Sequence, residues 1–474
     1  MEGVDVLKKE LTPSPTFTES HARGREARSA LPLGDHASFD PAELGFDAVD
    51  VLERQAPSRV AELLPIRYGR MVSSPFAFYR GGAAVMAAHL AGAQHSGLLV
   101  QLCGDAHLSN FGLFATPERN LTFDLNDFDE TLAGPFEWDV KRLAASVVIA
   151  CRGRAFGATE GGAIVRESVG AYRKAMRSFA AMPNLAVWYA RLDAGHILEE
   201  LRGQTSQAGL RRTEAAIAKA PTRDSMQAFR KLTQLVDGEP RIVSDPPLVV
   251  TIEDLFPVDR GRGIFDQMGG LLAAYRDSLP YERQRLLDQY RFVHMARKVV
   301  GVGSVGTRAW ILLFEGLHSG DPLFLQAKEA QTSVLAPYLG DSEYSNQGER
   351  VVAGQRLIQA ASDIFLGWQR TNGLDGIDRD YYIRQLRDWK ASADVETFTP
   401  AGMAAYARVC GWTLARAHAR SGDRVAIAAY LGKKDTFDQA VAEFAVAFAD
   451  QNDRDHATLR AAIDEGRIQA QEGI

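Results

Sequence analysis

The chain has 474 residues, of which 46% are hydrophobic and 24% are charged, and its formal net charge is −6. This length is enough for two or three lobes with sizeable cores, and the composition is ordinary for a soluble globular protein. The acidic balance lacks the electrostatic footprint of a nucleic-acid-binding protein, and three widely separated cysteines favour neither a disulfide framework nor a cysteine metal site.

Residues 1–40 are polar and include a basic patch at 23–28, a composition that predicts a mobile tail. The segment from Met1 to Lys9 is charged and lacks the apolar stretch of a signal peptide. The longest apolar runs of the chain are too short to cross a bilayer. We therefore expect a cytoplasmic protein that binds neither membranes nor nucleic acids.

Residues 41–290 are predicted to form a helix-rich lobe that carries a catalytic loop. A predicted buried strand is followed by the segment Gly104-Asp105-Ala106-His107-Leu108-Ser109-Asn110. Asp105 can orient and deprotonate an acceptor hydroxyl, and Asn110 can supply a neutral oxygen to a hard cation. This Asp–Asn spacing is typical of kinase-type phosphoryl transfer. The alternative is an ordinary turn that Asn110 caps, and His107 is expected to shape the loop.

An acidic segment follows on the next predicted strand. Its members are Asp124, Asp127, Asp129 and Glu130. Strand alternation places Asp127 and Asp129 on one face and Asp124 on the other. Carboxylates this close repel one another, and a bound divalent cation relieves the repulsion. We predict Asp127 as the main Mg²⁺ ligand and Asp129 as the second, with a solvated acidic turn as the alternative.

Two further sets of residues have open roles. The helical stretch 160–290 is a candidate wall of an acceptor pocket. The arginines Arg67, Arg70 and Arg80 are equally compatible with phosphate binding and with structural ion pairs. His418 lies on an apolar helical face, which predicts a buried structural histidine.

Residues 291–390 are predicted to form a small β-rich nucleotide lobe. The glycines Gly301, Gly303 and Gly306 lead into a hairpin whose second strand carries Lys328. This arrangement resembles the kinase glycine-rich loop, which covers the ATP phosphates, and its lysine-bearing strand. A dinucleotide fingerprint is disfavoured because the glycines lack a strand–helix unit with a later acidic residue. An ordinary surface β-ribbon is the remaining alternative.

The nucleotide lobe needs an acidic partner for Lys328 and a segment that meets adenine. Glu349 is predicted as that partner because it stands at a helix start, and Glu343 is the reserve. The strand at 381–389 is predicted to end the lobe and to serve as the hinge. Residues 391–474 are predicted to be helices that complete the large lobe.

Three segments resemble the aminoglycoside phosphotransferase and choline kinase branch of the protein-kinase-like superfamily: Gly104-Asp105-x-His107-x-x-Asn110, Asp127-Phe128-Asp129 and Trp138-Asp139-Val140. Cys103 stands where that branch usually has a histidine. The resemblance implies an enzyme that uses ATP and Mg²⁺ to phosphorylate a hydroxyl of a small molecule or a protein. It supports Asp127 over Asp124 as the metal ligand, and it makes Asp139 a structural brace for the catalytic loop.

Most of the chain from about residue 40 also resembles a bacterial family of uncharacterised proteins, the domain-of-unknown-function family 2252. The segments that carry this resemblance, besides the catalytic loop, are Arg67-Tyr68-Gly69-Arg70-Met71, Ser74-Pro75-Phe76-Ala77-Phe78-Tyr79-Arg80-Gly81, Lys328-Glu329-Ala330 and Ala415-Arg416-Ala417-His418-Ala419-Arg420. This resemblance implies a family and no reaction.

The order of the two loops is unusual, because the glycine-rich loop precedes the catalytic loop in ordinary kinases and follows it here. We therefore predict a helix-rich α+β protein with a kinase-like two-lobed fold that is circularly permuted. This prediction requires Lys328 to lie near Asp127. Two alternatives use the same fold: nucleotidyl transfer from ATP bound in reverse, and a nucleotide-binding regulatory module without turnover. A metallophosphoesterase is disfavoured, because only one of its metal-binding motifs is present.

Overall fold

The computed structural model describes residues 15–41, 45–203, 207–256, 271–318, 320–372, 376–386 and 389–474. The protein is mixed α+β, with 54% helix and 17% strand, which confirms the prediction of a helix-rich α+β protein. Within these ranges, no helix combines the length and apolar character that a membrane span requires.

The helices are, in chain order, α1 (Phe17–Ala30), α2 (Ala48–Arg54), α3 (Leu64–Val72), α4 (Pro75–Gly81), α5 (Ala83–Leu90), α6 (Phe136–Gly153), α7 (Ala158–Ala180), α8 (Asn184–Tyr189), α9 (Ala194–Leu201), α10 (Gln207–Lys219), α11 (Ser225–Leu232), α12 (Ile252–Leu255), α13 (Tyr281–Leu287), α14 (Ala336–Leu339), α15 (Gln347–Ile358), α16 (Pro400–Ser421), α17 (Arg424–Leu431) and α18 (Thr436–Asp464). Polar caps fix several of their starts: Asp47, Ser74 and Thr399 each accept a hydrogen bond from the first turn.

The strands are β1 (Leu99–Leu102), β2 (Phe111–Ala115), β3 (Leu121–Leu125), β4 (Leu132–Pro135), β5 (Leu192–Asp193), β6 (Thr233–Val236), β7 (Glu239–Ile242), β8 (Val249–Thr251), β9 (Arg291–Lys298), β10 (Ala309–Glu315), β11 (Pro322–Ala330), β12 (Gly367–Asn372), β13 (Asp378–Gln385) and β14 (Ala391–Ser392). An antiparallel six-stranded sheet has the order β12-β13-β11-β10-β9-β8. A second sheet has the order β14-β2-β3-β5, and two further pairs are β1-β4 and β6-β7.

The helical core is built from both ends of the chain. The C-terminal helices α16 and α18 pack against α6 and α7. Their apolar faces are fully buried, as Val147 and Leu414 illustrate. The predicted catalytic and metal-binding residues lie on the loops between β1 and α6, at the surface of this core. The core therefore gives those loops a rigid base.

The six-stranded sheet has an apolar core on each face. Leu325 belongs to the core on one face, and Phe324 belongs to the core on the other. Helix α11 covers the second face through the fully buried Ala228. The glycine segment, residues 299–308, connects β9 to β10. The chain continues from β9 through the glycine segment to β10 and then to β11, which carries Lys328.

The predicted mobile tail is wrong from Phe17 onward, because α1 is docked on α17. Thr16 and Glu19 form a capping box at its start. A Cβ added at Gly24 would lie 2.1 Å from the main-chain oxygen of Ala426, so the two helices touch backbone to backbone. Contact through such small residues gives little apolar periodicity, which explains the wrong prediction. Residues 1–14 lie outside the described residues.

The docked N-terminal segment makes stability depend on pH through His36. Its Nε2 lies 2.6 Å from the Tyr430 hydroxyl and 4.0 Å from Glu137, and burial together with repulsion from Lys141 lowers the pKa of His36 from 6.5 to about 3. Below pH 6.5 the unfolded chain binds a proton that the folded chain does not. Protonation of His36 in the unfolded chain therefore leaves the free energy of unfolding unchanged above pH 6.5. As the pH falls from 6.5 towards 3, it lowers that free energy by about 1.4 kcal/mol per pH unit.

We accordingly expect the melting temperature of His36→Gln to fall less steeply than that of the wild type across this pH window. Thermal unfolding of both proteins at a series of pH values measures the difference. Parallel curves would show that His36 is not buried as a neutral imidazole.

Candidate active site

The loop after β1 has one possible shape, because other parts of the chain contact its backbone closely. Gly104 has a φ of +81°, and a Cβ added there would lie 2.4 Å from the main-chain oxygen of Glu130. Only glycine meets both demands. Asn110 closes the loop by donating from Nδ2 to the main-chain oxygen of Asp105 at 2.7 Å. Asp105 and Asn110 are thus held in a fixed relation.

A buried arginine orients the Asp105 carboxylate. Arg142, on α6, approaches Oδ1 of Asp105 with Nε at 2.8 Å and Nη2 at 2.6 Å. His107 Nε2 lies 3.5 Å from Oδ2. Burial lowers the pKa of His107 to about 4, so its imidazole is neutral at neutral pH. The arrangement leaves Asp105 partly exposed to the cavity described below, where it can accept a hydroxyl proton.

Helix α6 braces the same loop from behind. Asp139 accepts hydrogen bonds from the main-chain N–H groups of Cys103 at 2.8 Å and Gly104 at 3.1 Å. His418 Nε2 lies 3.2 Å from Asp139, and the Tyr172 hydroxyl lies 2.9 Å from His418 Nδ1. Asp139 therefore occupies the bracing position that the resemblance implied, and His418 is a buried structural residue.

The acidic segment divides as strand alternation predicted, although β3 ends at Leu125. Asp124 is fully buried and accepts a hydrogen bond from Arg416 at 2.6 Å. This carboxylate belongs to the core. The main-chain N–H of Asn126 donates to the main-chain oxygen of Asn110 at 2.9 Å, which ties the acidic segment to the catalytic loop.

Lys328 reaches the acidic segment from the six-stranded sheet. Its Nζ lies 2.7 Å from Asp129 Oδ2 and 3.6 Å from Asp127 Oδ1. The Tyr382 hydroxyl donates to Asp129 Oδ1 at 2.5 Å. The predicted proximity of Lys328 to Asp127 is therefore confirmed. Lys328 and Asp129 are separated by 199 residues in the sequence. This ion pair joins the sheet to the acidic segment.

The two carboxylates differ in their electrostatic surroundings. Burial and the neighbouring charge of Asp129 raise the pKa of Asp127. For Asp129 burial acts in the same direction, but the charge of Lys328 outweighs it and lowers the pKa. Burial disfavours the charged form of Lys328, yet the two carboxylates outweigh burial and raise its pKa. Lys328 therefore compensates the charge of Asp129 more fully than that of Asp127.

The oxygen donors fit a Mg²⁺ ion that arrives with a nucleotide. Oδ1 of Asp127 is buried without a hydrogen-bond partner, and Asn110, whose amide nitrogen is engaged, keeps its amide oxygen as an acceptor. Among the residues that the structure describes, no three His, Cys, Asp or Glu side chains form a ready-made metal cage. Mg²⁺ commonly takes one or two carboxylates and completes its shell with phosphates and water. The carboxylate oxygens of Asp129 already accept hydrogen bonds from Lys328 and Tyr382, so Asp129 is less available to a metal than Asp127.

Arginines from the helical lobe hold down the glycine segment. Nη1 of Arg59 donates to the main-chain oxygens of Gly303 at 2.8 Å and Val305 at 2.5 Å. Nη1 of Arg70 donates to the main-chain oxygen of Gly301 at 2.6 Å. These contacts place the segment over the catalytic loop.

The glycine segment also touches the acidic segment. The Ser304 hydroxyl donates to Asp129 Oδ2 at 3.3 Å. Gly301 and Gly306 have φ values of +67° and +92°, which favour glycine at both positions. The glycine segment is therefore a tight turn that lines the same cavity as Asp127 and Asp129.

The prediction that Glu349 pairs with Lys328 is wrong. Glu349 lies in the first turn of α15, where its main-chain N–H is capped by Asn346 at 3.1 Å. The next residue faces inward: Arg350 is buried and donates from Nη2 to the main-chain oxygen of Asp129 at 2.8 Å. Helix α15 therefore directs the cation Arg350 towards the site. The acidic partner of Lys328 is Asp129 and not Glu349 or Glu343, the reserve.

The segment predicted as the adenine hinge is already engaged. The main-chain N–H of Trp389 donates to the main-chain oxygen of Arg223 at 2.9 Å, and Nη1 of Arg223 donates to the main-chain oxygen of Lys390 at 2.9 Å. Residues 387–388 lie outside the described residues. Helix α11 begins just after Arg223 and packs on β11. Arg223 therefore uses hydrogen-bonding groups that were expected to meet a base.

A cavity of about 1020 Å³ lies between the catalytic loop and the glycine segment. The predicted site residues in its walls are Asp105, Asn110, Asp127, Asp129, Gly301 and Gly303. Lys328 is buried behind Asp129, Gly306 lies against Arg59, and Glu349 lies outside. Sequence reasoning missed Arg142, Arg350 and Tyr382, because their partners are distant in the chain and no local motif marks them.

The chain was compared with family models, curated proteins and solved structures, and a family model matches it. The model of the domain-of-unknown-function family 2252, described as an uncharacterized protein conserved in bacteria, matches residues 59–462. That range includes every predicted site residue. No curated protein matches the chain, and no solved structure matches it.

Proposed function

Because this chain belongs to the bacterial domain-of-unknown-function family 2252, whose description gives no reaction, we propose its function from the site: it is a kinase-like phosphotransferase that uses ATP and Mg²⁺ to phosphorylate a hydroxyl group. The observation that carries this proposal is the contact of Lys328 with Asp127 and Asp129 beside Asp105. A phosphate-binding lysine, metal-binding oxygens and a catalytic carboxylate are the parts that kinase chemistry requires. Because the proposed reaction consumes ATP, we propose that the protein acts in the cytoplasm.

Each part has a defined task. Asp105, oriented by Arg142, accepts the proton of the acceptor hydroxyl. Asp127 and Asn110 would hold Mg²⁺, which, when bound, neutralises charge on the nucleotide phosphates. The backbone of the glycine segment would cover those phosphates, and Lys328 would pair with them. Catalysis then consists of positioning and electrostatic stabilisation.

The order of elements in the sheet supports a kinase-like nucleotide lobe. The glycine segment separates β9 from β10, the lysine lies on β11, and helix α15 follows. Kinases place these parts in the same order. Here they stand at 291–390, after the catalytic loop, and the chain then returns to the helical lobe through α16 and α18. We therefore propose a circular permutation that inserts the nucleotide lobe before the helices of 391–474. This lobe begins earlier than the predicted residue 291, because β8 is a strand of the six-stranded sheet and Ile252 and Leu287 belong to its core.

Nucleotidyl transfer is the second candidate function, and the contacts of Arg223 favour it. They use backbone groups of the segment after β13, where a base would bind in the usual direction. ATP in the reverse direction would place its base elsewhere. A regulatory module without turnover is less well supported, because Asp105, Asn110 and Asp127 are all present in one cavity.

The first experiment is calorimetric titration of the wild type with ATP, with Mg²⁺ and with EDTA. We expect binding only with Mg²⁺, and we expect Asp127→Asn to weaken it by at least about tenfold, since the variant loses a charged metal ligand. Asp378→Asn, a change at an exposed acid in the same cavity wall, should bind like the wild type. Equal affinity in the Asp127 variant would contradict the metal assignment, and no binding to the wild type would contradict the proposed function.

The two candidate reactions differ in the products that leave the site. Phosphoryl transfer releases ADP and moves the label of γ-³²P-ATP to the acceptor. Nucleotidyl transfer releases pyrophosphate and moves the label of α-³²P-ATP. Incubation with both labelled nucleotides therefore distinguishes the two functions.

A further inference from the structure

The structure gives two of the three open arginines structural roles. Arg67 is buried and donates to Gln55 Oε1 at 2.7 Å. Arg70 donates to the main-chain oxygens of Gly301 at 2.6 Å and Ile474 at 3.0 Å. Arg80 has neither kind of partner and needs a separate explanation.

Arg80 lines the cavity in the last turn of α4. The main-chain oxygen of Arg80 lies 3.3 Å from the position of a Cβ on Gly303, so the backbone of Arg80 contacts the glycine segment. In the described part of the chain, no carboxylate lies within ion-pair distance of its guanidinium, and its Nε is buried without a hydrogen-bond partner. Arg80 thus combines access to the cavity with unused donors.

An unpaired, partly buried guanidinium is costly and therefore informative. Other arginines of the cavity wall are engaged: Arg308 lies 3.2 Å from Glu329, and Arg370 lies 2.6 Å from Asp380. Arg80 differs from both because its donors remain available to a ligand. A guanidinium fits an oxyanion with two parallel hydrogen bonds.

The guanidinium of Arg80 and the ammonium of Lys328 have different acidic neighbours. The acidic charges that influence the pKa of Arg80, after burial, are those of Asp105 and Glu396. The acidic charges that influence the pKa of Lys328 are those of Asp127 and Asp129. Arg80 and Asp105 line the same cavity, and Asp105 is the proposed base for the acceptor hydroxyl. An anion bound by the Arg80 side chain would therefore lie beside the acceptor.

We propose that Arg80 binds an oxyanion on the acceptor, so that the substrate is a hydroxyl compound carrying a phosphate or carboxylate group. This inference rests on the proposed phosphotransferase function. The oxyanion would dock on Arg80 and present the hydroxyl to Asp105. A cationic group of the acceptor is disfavoured beside Arg80, because the two positive charges would repel each other.

The test uses simple anions with the nucleotide site filled. The wild type, Arg80→Gln, Arg80→Lys and Arg54→Gln are saturated with the Mg²⁺ complex of AMP-PNP, a non-hydrolysable ATP analogue, and titrated with inorganic phosphate or malonate while thermal unfolding is followed. Arg54 is an exposed arginine of the same cavity wall and controls for net charge. We expect Arg80→Gln to weaken anion binding by at least about tenfold, Arg80→Lys to retain part of it, and Arg54→Gln to change it by less than about twofold.

The outcomes separate this inference from the proposed function. Anion binding that is equal in the wild type and Arg80→Gln, or absent from both, would overturn the inference. Weakened AMP-PNP binding in Arg80→Gln would assign the arginine to the nucleotide and would also overturn it. If the wild type binds no Mg²⁺–AMP-PNP, the proposed function fails, and anion titration of the unliganded protein still decides whether Arg80 is an anion site. Unfolding in the absence of anion shows whether each variant is folded.

Discussion

We expect Asp105→Asn to lower turnover by about 10²- to 10⁴-fold and to leave the affinity for MgATP nearly unchanged. The substitution keeps the shape of the side chain and removes the carboxylate that is proposed to accept the hydroxyl proton. Lys328, Asp127 and the glycine segment, which are proposed to bind the nucleotide, keep their own contacts. Steady-state release of ADP measures turnover, and calorimetry measures affinity.

The control for this variant must separate chemistry from folding, because Arg142 loses its carboxylate partner. Thermal unfolding of Asp105→Asn reports that loss directly. Asp378→Asn removes the same charge from an exposed position of the cavity wall and should keep full turnover. If Asp105→Asn is folded, binds MgATP and turns over like the wild type, Asp105 is not the catalytic base.

The sequence predicted what local chemistry decides. Asp105 and Asn110 share one short loop whose glycine restricts the backbone, so their proximity follows from spacing alone. The hairpin β10–β11, with Lys328 on its second strand, and a helix that starts near Glu349 follow from alternation and helical periodicity. The contact of Lys328 with Asp127 was predictable for a different reason, because the chemistry of phosphoryl transfer demands that the two meet.

The sequence could not predict partners that only packing decides. Glu349 and Arg350 are neighbours on one helix, and which of them faces the site depends on how α15 rotates against the loop after β3. Arg142 approaches Asp105 because α6 crosses behind the catalytic loop. The hydrogen bond from Trp389 to Arg223 joins two segments that no motif links. Such contacts join segments far apart in the chain, where periodicity carries no information.

We expect Lys328→Met to be the most destabilising of these substitutions, by about 3–5 kcal/mol, because it leaves Asp129 and Asp127 without their cation in a largely buried site. Adding Asp129→Asn should recover most of this loss, since the pair is then replaced by two neutral groups. The double-mutant cycle measured by chemical denaturation should therefore give a large coupling free energy. Additive effects of the two substitutions would show that the sheet and the acidic segment are not joined by this ion pair.

The same variant tests the metal site, because a divalent cation can replace the missing ammonium charge. Without Lys328, Asp127 and Asp129 repel each other, so Mg²⁺ should raise the melting temperature of Lys328→Met more than that of the wild type. In Lys328→Met/Asp129→Asn the repulsion is gone, and the Mg²⁺ effect should shrink again. Binding of MgATP should stay weak in both variants, since the phosphates lose their lysine in each. Recovery of stability without recovery of nucleotide binding would separate the structural role of the ion pair from the functional role of Lys328.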